Sequence, residues 1–316
     1  MKPDSVCVTG AGGFIGRALV RHLEQLGWRV RAAVRRLESG FPAGVEVVPG
    51  MALSSDTDWR PALAGSKFLV HAAARVHVIR ERSDDPLADF RRVNVDATMH
   101  LARQAAQHGV QRFIYLSSIG VNGSQTFDTP FTAEDQPRPI ASYARSKHEA
   151  EQGLLEISAA SGMELVILRP PLVYGPNAPG NFGTLVRCLR RRVPLPLASI
   201  RNQRSLIGLD NLVALIAVCL THPNAANRLF LASDGEDLST PDLLRRLGGA
   251  LGRPARLFPF PVSVLRAGAS MVGRSAVAEQ LCGSLQVDAR ATRTILGWRP
   301  HLTLDQGLAR VAGNGR

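Results

Sequence analysis

The sequence predicts an α/β protein with a doubly wound parallel sheet, and two observations lead to this fold class. Short runs of β-branched and aliphatic residues alternate with segments of helical spacing through the first two thirds of the chain. The first of these runs leads directly into a glycine-rich turn that opens the first helical segment. Strands that alternate with helices in this way form a parallel sheet with helices on both faces.

Each element of this pattern is predicted from its hydrophobic spacing. The predicted strands lie at residues 5–9, 29–34, 45–48, 68–73, 112–116, 164–168 and 228–232. The predicted helices lie at residues 16–26, 93–108, 143–160 and 210–220. In the first helix Leu19, Leu23 and Leu26 share one face, as in a helix packed on a sheet. Residues 175–209 are interpreted as loop-rich because they contain four prolines, and the remainder of the chain as mostly helical.

The composition is that of an ordinary soluble globular protein, with 45% hydrophobic and 20% charged residues among 316. The apolar run at 212–220 is too short to cross a bilayer, so we expect no transmembrane segment. The four cysteines are scattered and form no CxxC pair. This indicates reduced thiols in the cytoplasm and no metal site.

The net charge of +12 allows more than one interpretation. It is explained by a solvated arginine-rich surface or by attraction for anionic ligands such as a dinucleotide or a sugar diphosphate. Attraction to an anionic membrane surface is also open. A nucleic-acid partner is not expected, because the aromatic content is only 5% and no basic-aromatic motif occurs.

The strongest local motif is the stretch Thr9-Gly10-Ala11-Gly12-Gly13-Phe14-Ile15-Gly16 at the junction of the first strand and the first helix. Gly10, Gly13 and Gly16 permit a tight turn, a close backbone approach and tight helix packing. The free N–H groups at the start of the helix, around Phe14 and Ile15, suit a diphosphate. The sequence therefore predicts a dinucleotide site, and the alternative is a glycine-rich turn without a ligand.

The end of the second strand indicates which dinucleotide is bound. An NAD site usually has a carboxylate there that accepts from the ribose 2′-hydroxyl, whereas this chain has Arg35 and Arg36. Two guanidinium groups suit a 2′-phosphate, which they bind bidentately. NADP(H) is therefore favoured and NAD(H) stays possible. The alternative is that both arginines are merely solvated.

Tyr143 and Lys147 are four residues apart, which places both side chains on one face of a helix. A neighbouring ammonium stabilises a phenolate, so Tyr143 is expected to exchange a proton with a hydroxyl during hydride transfer. Lys147 is also expected to hold the nicotinamide ribose. Ser118 follows the strand at 112–116, where the carboxyl edge of a parallel sheet forms a ligand crevice. The alternative for this serine is a helix or turn cap.

With these motifs in order, the chain resembles the extended short-chain dehydrogenase/reductase family, in its nucleotide-sugar epimerase/dehydratase branch. The resemblance rests on the glycine motif, the HAAA run at 71–74, Asn94-Val95, the serine pair, YxxxK, the RPP run at 169–171, VYGP at 173–176 and LGWRP at 296–300. It implies that Ser118, Tyr143 and Lys147 form the catalytic triad, with Ser118 bonded to the reacting sugar oxygen. It also implies that Ala72, Ala73, Asn94 and Pro170 lie along the cofactor.

The implied architecture is a Rossmann sheet over residues 1–172, rejoined by about 206–234. A smaller mixed C-terminal lobe from 173–205 and 235–316 would bind the substrate. By resemblance, Asn181 and Arg204 bind the diphosphate of a UDP-sugar and Leu197 lies against the uracil. The alternative for Arg204 is a surface ion pair. The resemblance also implies a possible homodimer, with the helices at 93–108 and 143–160 as candidates for its interface.

The residues beside the triad exclude two branches of the family. The dehydratases carry an Asp-Glu pair where this chain has Ile119-Gly120, and the fucose-synthase type needs a Cys and a His where this chain has Ile119 and Asn177. One departure from the family pattern is Met51 after Gly50, where an aspartate often meets the adenine. Asp56 is the candidate to replace that contact.

What remains is hydride chemistry at C4 of the sugar. The arginine pair favours NADPH-dependent reduction of a UDP-4-keto-6-deoxy-N-acetylhexosamine for O-antigen or capsule synthesis. The alternatives are a UDP-glucose or UDP-N-acetylglucosamine 4-epimerase with bound NAD, a reductase of a lipid-like or phenolic ketone, and a non-catalytic NAD(P)-binding sensor or scaffold.

Overall fold

The computed structural model describes residues 4–37, 39–76 and 85–313. Its strands are β1 (Ser5–Thr9), β2 (Arg29–Ala33), β3 (Glu46–Val48), β4 (Phe68–His71), β5 (Arg112–Leu116), β6 (Glu164–Arg169), β7 (Leu172–Tyr174), β8 (Arg204–Gly208), β9 (Arg228–Leu231) and β10 (Asp237–Leu238). Its α-helices are α1 (Phe14–Gln25), α2 (Arg60–Leu63), α3 (Pro86–Arg91), α4 (Ala97–Gln107), α5 (Ser142–Ser161), α6 (Gly180–Arg190), α7 (Leu209–Thr221), α8 (Thr240–Ala250), α9 (Val262–Met271), α10 (Ser275–Cys282), α11 (Arg290–Leu296) and α12 (Leu304–Gly313).

The main sheet has seven strands in the order β3-β2-β1-β4-β5-β6-β9, and every pairing within it is parallel. The order reverses between β1 and β4, which is where doubly wound sheets bind their ligands. The predicted α/β class with a Rossmann doubly wound sheet is therefore confirmed. All seven strands fall where the hydrophobic runs predicted them, because strands that are covered on both faces need continuous apolar residues.

Apolar cores lie on both faces of this sheet. On one face α1 buries Leu19 and Leu23 against β1 and β2, together with Ile216 of α7. On the other face Leu101 of α4 and Leu154 of α5 pack beneath β4 and β5. The helices thus hold the carboxyl ends of the central strands in fixed positions, which prepares a rigid crevice at that edge.

The smaller lobe contains a second, mixed sheet in the order β10-β8-β7. β7 and β8 run parallel, and β10 pairs with β8 in the antiparallel sense. Its own core joins Phe182 of α6, Leu206 of β8, Leu244 of α8 and Leu308 of α12. Between the segments that build this lobe, α7 and β9 return to the main sheet.

The interpretation of residues 175–209 as loop-rich is wrong, because the segment contains α6 and β8. Its glycines and arginines diluted the apolar pattern, yet Phe182, Val186 and Leu189 occupy one buried face of α6. The segment before α4 also differs from the predicted helix, since Arg92–Asp96 forms a π-helical turn between α3 and α4. Turns of this kind are frequent at functional sites. Across the described ranges, no helix has the length and hydropathy of a membrane span.

Candidate active site

The glycine turn between β1 and α1 is built by contacts that leave no space for side chains. Gly10 has φ of 64°, and a Cβ there would lie 2.7 Å from the amide nitrogen of Ala73. A Cβ on Gly16 would collide with the carbonyl oxygen of Gly10. Gly13 caps α1 in an extended conformation, so the helix begins at Phe14 and Ile15 with its N–H groups free of side-chain caps. This cradle fits a diphosphate that approaches the backbone closely.

Arg35 and Arg36 follow β2 at the same edge of the sheet, and both side chains are exposed. Near the glycine turn lies Arg17 of α1, which the sequence analysis did not single out. Its Nε donates to the carbonyl oxygen of Gly12 at 3.1 Å and its Nη1 donates to that of Ser39 at 3.1 Å. Arg17 therefore ties the loop after β2 to the glycine turn and adds positive charge there.

Asn94 lies in the π-helical turn and is buried. Its Oδ1 accepts from the amide of Arg75 at 2.8 Å, and its Nδ2 donates to Ser146 Oγ at 3.1 Å. It thereby connects the segment after β4, which carries Ala72 and Ala73, to α5. The amide of Ala73 is itself held at 3.4 Å from Thr9 Oγ1. The predicted cofactor residues after β4 thus lie directly beside the glycine turn.

Lys147 is buried on α5, although its side chain is an ammonium. Its Nζ donates to the carbonyl oxygen of Leu116 at 2.6 Å and lies 4.3 Å from the centroid of the Tyr115 ring. Burial lowers the pKa of Lys147 to about 7, and the negative charge of Glu151 opposes that shift. The helix face that carries Lys147 is therefore fixed against the carboxyl end of β5.

Tyr143 precedes Lys147 by four residues on this face of α5. Its ring packs edge-on against Phe90 at a centroid distance of 6.1 Å, and burial raises its pKa to about 12. A phenol in this state holds its proton at neutral pH until a positive charge lowers its pKa.

Ser118 stands at the carboxyl end of β5, where its Oγ accepts from the amide of Gly120 at 3.1 Å. This bond caps the short 3₁₀ turn Ile119–Val121, so the capping alternative describes a real contact of this serine. A Cβ on Gly120 would lie 3.3 Å from that of Ala144, so the turn packs on α5 beside Tyr143. Pro170 follows β6, and its carbonyl oxygen accepts from the amide of Ile119 at 3.0 Å. The fold thus brings Ser118, Tyr143 and Lys147 to one sheet edge.

A buried ion pair behind Lys147 was missed by the sequence analysis. Glu151 accepts from Arg169 Nε at 2.9 Å and from Ser117 Oγ at 2.5 Å. The same arginine donates from Nη1 to Asn122 Oδ1 at 2.9 Å. The signal available in the sequence was the spacing of Glu151, which follows Lys147 by four residues and therefore lies on the same face of the helix.

Of the three substrate residues predicted in the smaller lobe, two contact α10 or its end. Asn181 is exposed in the first turn of α6, and its Nδ2 donates to Oε1 of Gln280. Arg204 donates from Nη1 to the carbonyl oxygen of Gly283 at 3.0 Å, and burial lowers its pKa. Leu197, in contrast, is 6% exposed and belongs to the apolar core of the smaller lobe.

Comparison with known proteins defines the class to which this fold and site belong. The model of the NAD dependent epimerase/dehydratase family matches residues 6–231, and the chain belongs to that family. It is thus an enzyme of the short-chain dehydrogenase/reductase type that acts in the manner of nucleotide-sugar epimerases and dehydratases. The resemblance inferred from the motifs is confirmed.

Three relatives are similar to this chain over nearly its whole length. The chain is 40% identical to a UDP-glucose 4-epimerase of Vibrio cholerae over 313 residues, which is 98% of this chain and 95% of the relative. MoeE5, solved with UDP-glucose and NAD, is 25% identical with a TM-score of 0.77 over 98% of this chain and 97% of that one. A UDP-glucose 4-epimerase of Thermotoga maritima, solved with UDP-glucose, shares the fold at a TM-score of 0.77 and 20% identity, over 98% and 97% of the two chains.

Proposed function

We propose that this enzyme is a UDP-hexose 4-epimerase that works with a retained NAD. The observation that carries the proposal is the pairing of a buried Lys147 with Tyr143 on one face of α5, against the end of β5 that bears Ser118. The adjoining Ile119 is apolar and buried, and Asn177 is a neutral amide. Such a set exchanges one proton and supplies no second acid or base for elimination of water.

Each residue has a role in this proposal. Ser118 holds the C4 oxygen of the sugar, and Tyr143 takes the C4 hydroxyl proton and later returns it. The ammonium of Lys147 lowers the pKa of Tyr143 from its raised value toward neutrality. When bound at the glycine turn, NAD would supply a reversible hydride acceptor at C4 of the sugar.

The remaining predicted residues bind the cofactor or the substrate. Gly10, Gly13 and Gly16 cradle the cofactor diphosphate at the start of α1, beside Phe14 and Ile15. Ala72, Ala73, Asn94 and Pro170 line the rest of the cofactor path. In the smaller lobe Asn181 and Arg204 bind the UDP diphosphate. The stretch that carries Leu197 lies against the uracil, while the Leu197 side chain itself packs in the core of the lobe.

The second candidate is the NADPH-dependent reduction of a UDP-4-keto sugar, which the sequence alone favoured. One observation still supports it, namely the two exposed guanidinium groups of Arg35 and Arg36 at the end of β2. The identity to a named 4-epimerase and the NAD found in solved neighbours weigh for the epimerase. The two reactions differ in cofactor consumption. A reductase consumes one NADPH per turnover, whereas an epimerase regenerates its cofactor.

The test is an NMR assay of UDP-glucose and UDP-N-acetylglucosamine with purified protein and no added cofactor. We expect inversion at C4 and NAD in an acid extract of the protein. In the variant Tyr143→Phe turnover falls by a factor of about 10² to 10⁴ while NAD stays bound. The matched control is Tyr174→Phe, since Tyr174 is buried in the smaller lobe and donates to Asp234 at 2.8 Å.

Other outcomes would replace the proposal. Oxidation of NADPH with a UDP-4-keto-6-deoxy-N-acetylhexosamine, without inversion of UDP-hexoses, would establish the reductase. A biological effect that survives in Tyr143→Phe would establish a non-catalytic role. The proposal includes a homodimer through α4 and α5, which light scattering of the purified protein tests.

A further inference from the structure

The helical hairpin of α9 and α10 leaves several large apolar residues exposed to solvent. Val262 and Leu265 of α9 lie against the core of the smaller lobe. Val264, Met271 and Val272 are exposed, and the accessible fraction is 88% for Met271 and 68% for Val272. Met271 ends α9 and Val272 begins the turn to α10, so the two most exposed apolar residues of the hairpin stand at its tip.

The charge of this region has a single sign. Between Asp242 and Glu279 the chain contains six arginines and no other charged residue. Arg245 and Arg246 are paired with carboxylates of the smaller lobe. The other four are exposed: Arg253 and Arg256 lie in the segment before α9, Arg266 lies on α9 and hydrogen-bonds Cys282, and Arg274 follows the apolar tip.

We infer that this hairpin docks the enzyme on an anionic lipid bilayer, with Met271 and Val272 inserted between headgroups. Exposed apolar side chains flanked by arginines are the pattern of interfacial membrane helices. Each arginine near an anionic leaflet gains electrostatic attraction, and each apolar side chain gains by leaving water. A second copy of this chain fits less well, because a two-fold contact would place these positive groups opposite one another.

The hairpin also fixes which part of the enzyme faces the bilayer. Gln280 at the end of α10 accepts from Asn181, and Gly283 just beyond it accepts from Arg204. α10 has eight residues, which is a length of about 12 Å. The docked enzyme therefore turns the smaller lobe toward the membrane. This inference goes beyond the proposed reaction and does not depend on it.

The test is sedimentation of the full-length protein with vesicles of phosphatidylcholine alone or mixed with phosphatidylglycerol. We expect binding to the mixed vesicles that weakens with salt, and little binding to the neutral ones. The double variant Met271→Ser/Val272→Ser lowers the affinity at least about tenfold. The double variant Arg266→Gln/Arg274→Gln lowers it about 25-fold, from about fivefold for each charge.

Matched controls are Leu26→Ser, an exposed leucine that follows α1, and Arg21→Gln/Arg228→Gln, two exposed arginines outside the hairpin. These leave vesicle binding unchanged. All four variants keep the activity toward soluble UDP-hexoses, which separates failure of this inference from failure of the proposed reaction. The inference is overturned by absence of binding to anionic vesicles, or by equal losses in hairpin and control variants. Loss of a dimer in Met271→Ser/Val272→Ser without vesicle binding would assign the tip to a second copy.

Discussion

Glu151 lies one helical turn beyond Lys147 on α5, and both charged side chains are closed off from water, with 1% and 2% of each residue accessible. Arg169 and Ser117 hold the carboxylate in place from β6 and the end of β5. The negative charge of Glu151 raises the pKa of Lys147, against the burial that lowers it. Glu151 thus favours the charged form of Lys147 from a buried position behind it.

The first prediction concerns the variant Glu151→Gln. The protonated pair of Tyr143 and Lys147 carries a positive charge, and loss of a nearby anion makes its first proton easier to remove, whichever residue releases it. We expect the acid limb of the pH profile of kcat/KM to move to lower pH. The folded state is also destabilised by about 3–5 kcal/mol, because the buried charge of Arg169 loses its partner.

The matched control is Glu149→Gln on the same helix. Glu149 is half-buried and pairs with Arg91 at 2.7 Å, so its removal leaves the charge beside Lys147 intact. Its acid limb is expected to coincide with that of the wild type. If folded Glu151→Gln has the same acid limb of the kcat/KM profile as the wild type, Glu151 has only a packing role.

The second prediction concerns the glycine turn. In Gly16→Ala the new methyl group meets the carbonyl oxygen of Gly10, so the turn shifts and α1 moves away from β1. We expect a loss of about 1–3 kcal/mol in the free energy of unfolding, together with weaker binding of NAD. Urea unfolding and calorimetric titration of the cofactor-free protein measure the two effects.

Gly249→Ala is the control for this substitution, since Gly249 lies in α8 with no atom near its added Cβ. There the alanine is expected to stabilise the protein by up to about 1 kcal/mol, because alanine is the better helix former. A tolerated Gly16→Ala with normal NAD affinity would contradict the cradle described above.

The glycine turn and the strands were predictable because they depend on local pattern. Gly16 must be glycine because of contacts within the glycine turn itself, and Gly10 because of its positive φ as well as its contact with Ala73. Each parallel strand contains a run of apolar residues that can be recognised locally. The ion pair of Glu151 and Arg169 was not predictable, since it joins two elements only after α5 has packed on the sheet. Likewise, the local sequence does not predict that Met271 stays exposed while Leu265 packs against the core.

The third prediction separates the two dinucleotides. Removal of both guanidinium groups in Arg35→Ala/Arg36→Ala deletes charge-assisted contacts that only a 2′-phosphate uses. We expect the affinity for NADP⁺ to fall at least about tenfold while that for NAD⁺ changes little. Fluorescence titration of each dinucleotide gives the ratio directly. Equal losses for both would mean that the arginines act on the common diphosphate, and no loss for either would leave them as solvated surface groups.

The last prediction concerns pH and stability through His71, which is buried at the end of β4. Its Nδ1 lies 2.7 Å from Thr9 Oγ1 and its Nε2 lies 3.0 Å from Thr98 Oγ1. Burial, aided by the charge of Lys147, lowers the pKa of His71 to about 3 from its ordinary 6.5. The unfolded chain therefore binds a proton that the folded protein excludes, and stability present above pH 6.5 is lost as the pH falls toward 3.

From pH 7 to pH 5.5 this residue alone lowers the free energy of unfolding by about 1 kcal/mol. The variant His71→Gln keeps a polar side chain between the two threonines but does not titrate, so its stability is expected to change less over the same interval. His108→Gln, at an exposed histidine that caps α4, retains the full dependence of the wild type. Urea unfolding at both pH values gives the change in the free energy of unfolding for each protein, and these changes are then compared. An identical pH dependence in His71→Gln and the wild type would mean that His71 is protonated in the folded protein, and that the threonine pair accommodates a charged imidazole.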